Sequence, residues 1–221
     1  ATAAAIIQTQ TVAAFTPTPT PTKTPVPTLV PTLVAGEIAK LYDDKSQLEV
    51  ILDDKRLIVA PPNQNRHVIV NHANTPNSGL LSMLGGSQMQ FNAVTNSKIQ
   101  LRLLPSSDLF AQTDPYQNGI EIELARLSVT ISAKGCLAVQ YADDSHLSAD
   151  CFDGVCGFSI NFGAQTIAFE SGQQIQLDVS QLRLVARREI PATDIIKYRT
   201  LLSDTNAGRQ SILACKVPLP K

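Results

Sequence analysis

The sequence predicts an all-β fold: a β-sandwich or jelly-roll-like domain with one short C-terminal helix, preceded by an extended Pro/Thr-rich arm. Three observations carry that expectation. From Gly36 onward apolar residues recur with period two. These runs are short and are divided by turn pairs such as Gly85-Gly86, Asn118-Gly119, Asp153-Gly154 and Ser171-Gly172. Before Gly36, proline recurs at every second or fourth position. Short alternating runs between turn signals are the pattern of sandwich strands, each with one buried and one wet face.

The strands follow in order. Leu48, Val50 and Leu52 alternate with polar residues, then Met89, Phe91 and Ala93, Ile99, Leu101 and Leu103, and Ile120, Ile122 and Leu124. Leu127, Val129 and Ile131 come next, then Leu137, Val139 and Tyr141, then Ile175, Leu177 and Val179, with Leu182 and Leu184 closing the series. Near the end, Ile195, Tyr198 and Leu202 share a helical face behind Pro191, with Asp194 in the first turn. Asn206-Ala207-Gly208 is expected to end that helix, its stripe to pack across one end of the sandwich, and the tail from Cys215 to run extended. Two divisions are expected, an arm over 1–35 and a β-domain over 36–221, the latter in two sub-halves near 36–115 and 116–221.

Residues Ala1 to Phe15 are uncharged and Ala-rich, and fit either the outer end of a stalk or an element docking on a neighbour. Thr16 to Thr24 alternate with Pro17, Pro19 and Pro21, and the unit Val-Pro-Thr-Leu occurs twice, at Val26–Leu29 and Val30–Leu33. Proline at that density forbids helix and imposes a semi-rigid polyproline-like spacer. Thr16, Thr18, Thr20, Thr22 and Thr24 are candidate O-glycan acceptors. Ile6, Ile7, Val12, Phe15, Val26, Leu29, Val30 and Leu33 are the apolar side chains with which the arm would grip an adjacent subunit.

The four cysteines, an even number, fit an oxidising compartment and permit three pairings. If Asp153-Gly154 forms a two-residue type I′ turn, Phe152 faces Val155 and Cys151 lies opposite Cys156, which leaves Cys136 for Cys215. If instead Asp143-Asp144 closes the preceding hairpin, Cys136 faces Cys151. Asp-Gly fixes a register better than Asp-Asp, which favours the first set.

Charge and motif exclude several classes. A net charge of −1 with both signs interspersed argues against a nucleic-acid partner. His67 and His72, five apart, fall on opposite faces of a strand and cannot share a metal, while His146 after Asp143-Asp144 reads as a wet turn. The doublets Asp43-Asp44 and Asp53-Asp54 could offer some oxygens to calcium but read more simply as turns. No Cys-x-x-Cys, Gly-x-Ser-x-Gly or phosphate-cradling motif is present. The expectation is therefore no enzyme, no metal, no cofactor and no small-molecule substrate.

Ile99-Gln100-Leu101-Arg102-Leu103, Gly119-Ile120-Glu121-Ile122 and the closing Phe169-Glu170-Ser171-Gly172-Gln173-Gln174 together resemble the FecR-type extracytoplasmic β-domain over roughly Gly36 to Val185. That resemblance implies a twisted β-sandwich on a membrane-linked chain, and some members signal to sigma factors. Paired cysteines are not a general feature of that family. The Thr/Pro stalk resembles surface proteins of filamentous bacteria.

The leading functional expectation is a non-enzymatic structural subunit of an extracellular, cell-surface assembly, a filament or surface layer. Its partners would be copies of itself joined head to tail, the arm of one contacting the next. The alternative is a membrane-tethered FecR-like sensor on a Thr/Pro spacer, its anchor encoded upstream of Ala1. A glycan-binding surface module is the third reading.

Overall fold

The computed structural model describes residues 39–43, 49–51, 57–72, 79–94, 97–113, 118–142, 146–160, 165–181 and 183–219. All of them belong to one compact unit, residues 33–221. The arm residues Ile6, Ile7, Val12, Phe15, Val26, Leu29, Val30 and Leu33 and the threonines 16 to 24 lie outside the described residues. So do Leu48, Leu52, the Asp53-Asp54 and Asp143-Asp144 pairs, and Leu182.

The described chain is all-β with two short C-terminal helices. In chain order the strands are β1 (Ala39–Asp43), β2 (Glu49–Ile51), β3 (Leu57–Val59), β4 (Arg66–His72), β5 (Gly79–Met83), β6 (Gln88–Val94) and β7 (Ile99–Leu103). They continue with β8 (Ser107–Gln112), β9 (Ile120–Leu124), β10 (Val129–Tyr141), β11 (His146–Ile160), β12 (Gln165–Glu170), β13 (Gln173–Asp178) and β14 (Arg183–Glu189). The helices are α1 (Ala192–Ser203) and α2 (Asn206–Ala214).

One long antiparallel ribbon, β10 with β11, builds both layers. The first part of β10 pairs with β9 and its second part with β8. Likewise the first part of β11 pairs with β13 and its second part with β12. One layer therefore runs β2-β1-β4-β5-β8-β10-β11-β13-β14, and the other β12-β11-β10-β9-β7-β6-β3. Every pairing is antiparallel except β7 with β9, which are parallel because β8 between them in sequence lies in the opposite layer. Such corner-turning strands need a bend where the ribbon changes layer.

Two glycines supply the bend. Gly135 and Gly154 face each other across the ribbon, at φ +125° and +91°. A Cβ at Gly154 would stand 2.0 Å from the carbonyl oxygen of Lys134, and one at Gly135 2.3 Å from that of Asp153. Left-handed backbone and close approach together demand glycine. Beside them the register shifts: Cys136 faces Asp153 and Leu137 faces Cys151, leaving Phe152 as an extra residue in a β-bulge.

Asp153-Gly154 is thus no hairpin turn, and Phe152 does not face Val155. The dipeptide sits inside β11, where its tolerance of positive φ serves a bend instead of a chain reversal. Five residues of straight strand would span about 17 Å, yet Cys151 and Cys156 are bridged with their Cα atoms 6.0 Å apart. Their disulfide staples the corner. The other bridge joins Cys136 to Cys215, Cα to Cα 5.6 Å.

Alternating side chains of both layers fill one core, from Ile58 to Val179, each residue no more than 5% exposed. The expected period holds through β7, β9 and β13 but slips in β6. A bulge between Phe91 and Ala93 turns Val94 inward in place of Ala93. Leu127 lies in the turn before β10, and Leu184 on β14 is exposed.

The first layer is buried on both faces at its centre, β5 along its whole length and β8 over all but its last residue. Its outer face carries Leu80, Phe110, Cys136, Ala138 and Phe152, and the helices cover them with Ile195, Tyr198, Leu201 and Leu202. The helical stripe therefore lies on a sheet face, not across the end of the sandwich, because an apolar outer face needs a cover. Asn206-Ala207-Gly208 opens α2 instead of ending the only helix. Thr205 is its N-cap, the hydroxyl accepting from the Gly208 N–H at 3.1 Å. Cys215 caps the end of α2, and only the residues after it are irregular.

Two outcomes follow from the corner and its staples. Gly154→Ala should cost several kcal/mol in urea unfolding, since no rotamer relieves a backbone clash. By loop entropy, replacing Cys136 and Cys215 with alanine should cost about 4.5 kcal/mol, against about 2 kcal/mol for the same change at Cys151 and Cys156. Equal losses from the two pairs in denaturant titrations would contradict that ordering.

Candidate functional site

The sequence places its chemistry on the outer face of the first layer, where α1 meets β8, β11, β13 and β14. Alternation puts Asp108, Asp150 and Gln174 on that face, in line with Phe110 and Ala138. The 3.6-residue period of α1 lowers Asp194, Lys197 and Tyr198 onto them. The result is a buried polar network: Asp108 is 9% exposed, Asp150 3%, Gln174 1% and Tyr198 1%.

Its hydrogen bonds divide into two linked groups. Asp108 accepts from the Tyr198 hydroxyl at 2.5 Å and from Lys197 Nζ at 2.7 Å. The same ammonium lies 4.6 Å from the Tyr198 ring centre. Gln174 Nε2 donates to Asp150 Oδ1 and to Asp194 Oδ2, each at 2.7 Å, while its Oε1 accepts from Arg188 Nε at 2.9 Å. One amide thus ties β11, β13, β14 and α1 together. Beside it Phe110, Phe152 and Tyr198 pack with ring centres 5.6 to 6.0 Å apart.

Burial governs the protons here. Desolvation pushes the Asp150 carboxyl up to about 7, opposed by the Gln174 hydrogen bond and reinforced by the Asp194 charge. Desolvation also holds the Tyr198 phenol well above its ordinary range, so it remains a neutral donor to Asp108.

A second constellation has the composition of a hydrolase triad but not its exposure. The Ser82 hydroxyl lies 2.9 Å from His67 Nδ1, and His67 Nε2 lies 3.8 Å from Asp204 Oδ2, which also accepts from Asn65 Nδ2 at 2.6 Å. Ser82 is fully buried and His67 1% exposed. A nucleophile with no access to solvent meets no substrate, so the set serves to fasten the α1–α2 junction to β4 and β5.

Two open grooves flank the network. One of about 620 Å³ runs beside the first turn of α1 and is lined by Phe152, Gln173, Glu189, Ile190, Ala192 and Ile195 among others. The other, about 360 Å³, holds Gln140, His146, Ser148, Gln176, Asp178 and Arg183. His146 is an exposed residue at the start of β11. Among the described residues no group of three His, Cys, Asp or Glu is placed to hold a metal. Of the residues singled out by sequence, Cys136 and Cys215 lie on this face, joined in one disulfide, while Cys151 and Cys156, joined in the other, belong to the core between the layers. Asp108, Asp150 and Lys197 are absent from the sequence candidates, while Asp194 figures there only as a first-turn acid of the helix and Gln174 only within the closing run of the FecR resemblance. Their one legible signal is a polar residue inside an otherwise apolar strand, as at Ser107-Asp108-Leu109-Phe110.

The raised Asp150 carboxyl fixes the sign of a pH effect. Its proton is held in the folded state at pH values where the unfolded chain has released it, so stability falls as pH rises from about 4 to about 7 and is then level. Asp150→Asn should leave stability near pH 4 unchanged and raise it at pH 8, by up to about 4 kcal/mol. Thermal unfolding of both proteins across that range checks the outcome.

Two disulfides mark the domain as one of an oxidising, non-cytoplasmic compartment. Among the described residues no helix is long and apolar enough to cross a membrane. No protein-family model and no curated protein matches the chain. Two crystal structures of a provisionally assigned anti-sigma factor from Parabacteroides distasonis are similar to it, each at 9% identity and a TM-score of 0.49 over 65% of this chain. The matched region spans 64% of the first of those chains and 65% of the second.

Proposed function

We propose that the chain is a non-enzymatic, extracellular regulatory and protein-interaction domain, carried away from an upstream membrane anchor on its Thr/Pro spacer, as the FecR-type resemblance implies. The observation that carries this reading over the filament subunit is the completeness of the core. A subunit completed by a strand donated into its core leaves a gap for its neighbour, whereas one extended at a sheet edge does not. Here β3 to β13 supply a core whose residues are at most 5% exposed, so the arm has no vacant core position to fill.

Burial supports the non-enzymatic part of this reading. Ser82 and His67, though not the exposed Asp204, and the aspartates Asp108 and Asp150 under α1 are closed over by packing, and a reacting group must reach its substrate. Among the described side chains nothing supports a glycan-stacking platform, since Phe91, Phe110, Phe158, Phe169, Tyr141 and Tyr198 are all fully buried.

Deleting residues 1–35 is the test. Light scattering and negative-stain microscopy should find both the whole chain and the shortened one monomeric, with melting temperatures within about 2 °C. Polymers formed by the whole chain and lost on deletion would overturn the tethered-domain reading and restore the filament.

A further inference from the structure

We propose that α1 is a latch set by the protonation of Asp150, which when neutral lets the first turn of the helix sit closed on the sheet and when ionised lifts that turn and widens the groove beside it. The argument starts from charge. Asp150 is approached by Asp108 from β8, by neutral Gln174 from β13 with Arg188 of β14 behind it, and by Asp194, Lys197 and Tyr198 from α1. Its β10 neighbour is Ala138. Lys197 and Arg188 balance Asp108 and Asp194, and Asp150 is the odd carboxylate. A proton on it leaves this set neutral in sum, counting the exposed Arg188 and the half-buried Asp194 and Lys197. Without that proton the site holds one unbalanced anion.

Geometry determines which element moves. The Gln174 amide donates to both Asp150 and Asp194, which brings those carboxylates within about 5 Å of each other. Asp150 is fixed in β11 between two strands, and Gln174 in β13 likewise. Asp194 is held by the Gln174 amide and by the first turn of α1, which starts at Ala192 after Pro191 and has no side-chain cap. Repulsion therefore falls on the weakest support, the N-terminal turn.

The far end of the helical pair cannot follow. Cys215 at the end of α2 is bonded to Cys136 in β10, and Arg199 Nη1 donates to the carbonyl of Val217 at 2.7 Å. The motion is a hinge whose moving edge is Ala192 to Asp194, between Ile190, whose N–H donates to the Gly172 carbonyl at 2.9 Å, and the buried Ile195. That edge borders the groove of about 620 Å³, with Phe152, Ile190, Ala192 and Ile195 in its wall. Burial raises the Asp150 carboxyl to about 7, which places the transition between mildly acidic and mildly alkaline surroundings.

Hydrogen exchange followed by mass spectrometry on the whole, disulfide-intact chain tests the latch, with rates corrected for the intrinsic pH dependence. From pH 5 to pH 8 the amides of 194–198 should lose protection at least about tenfold, one decade per unit of a pKa difference, while those of β10 hold theirs. Asp150→Asn should stay protected at both pH values, and Asp194→Asn, which removes the repelling neighbour, should move the transition to lower pH and shrink the loss of protection. Wild-type protection that is flat with pH, an equal loss in Asp150→Asn, or a loss shared uniformly with β10 would each overturn the proposal.

Discussion

Everything in this domain depends on a ribbon that turns a corner. The strands β10 and β11 cannot belong to two layers unless the backbone bends sharply at one place, and Gly135 opposite Gly154 is where it does so. The bulge at Phe152 belongs to the same event. It sends an aromatic ring outward, where it meets Phe110 and Tyr198, and so creates the apolar outer face that the helices must cover. The local demand for positive φ therefore reaches as far as the helical cap. A disulfide between residues only five apart closes too small a loop to add much chain entropy. Its place at the bend suggests a different task, holding two strand segments at an angle against the tendency of a ribbon to straighten.

The fold class was legible because alternation is a direct print of the pleat. Leu101, Ile122 and Leu177 point inward as period two requires, and the helical face of Ile195, Tyr198 and Leu202 is equally plain. What could not be read was the meaning of Asp153-Gly154. The same dipeptide satisfies a tight hairpin and a bend within a long strand, since both need φ > 0. Pairing with β12 and β13, remote in sequence from β10, decides between them. The bulge after Phe91 failed for a related reason: nothing in Phe91-Asn92-Ala93-Val94 announces which residue is extra.

The polar network was less visible still. Asp108, Asp150 and Asp194 are spread over some ninety positions and meet only because two strands and a helix converge on one face. Each alone reads as a surface aspartate. Their burial turns ordinary acids into a shared electrostatic problem, solved by one amide, one phenol and two cations. The Ser82, His67 and Asp204 set teaches the converse. Its composition is that of a triad, but Ser82 and His67 are shut away from solvent.

The order in which the sulfurs leave the synthesis and export machinery adds a kinetic burden. Cys136, Cys151 and Cys156 emerge together, whereas the partner of Cys136 follows 79 residues behind it. An oxidant acting early finds three thiols and no Cys215, so some chains close Cys136 onto Cys151 or Cys156. Such chains keep a crosslink that forbids both the corner staple and the helical cap, and only thiol exchange frees them. A host compartment that carries a disulfide isomerase, or one that delays oxidation until release, would raise the yield of the native domain.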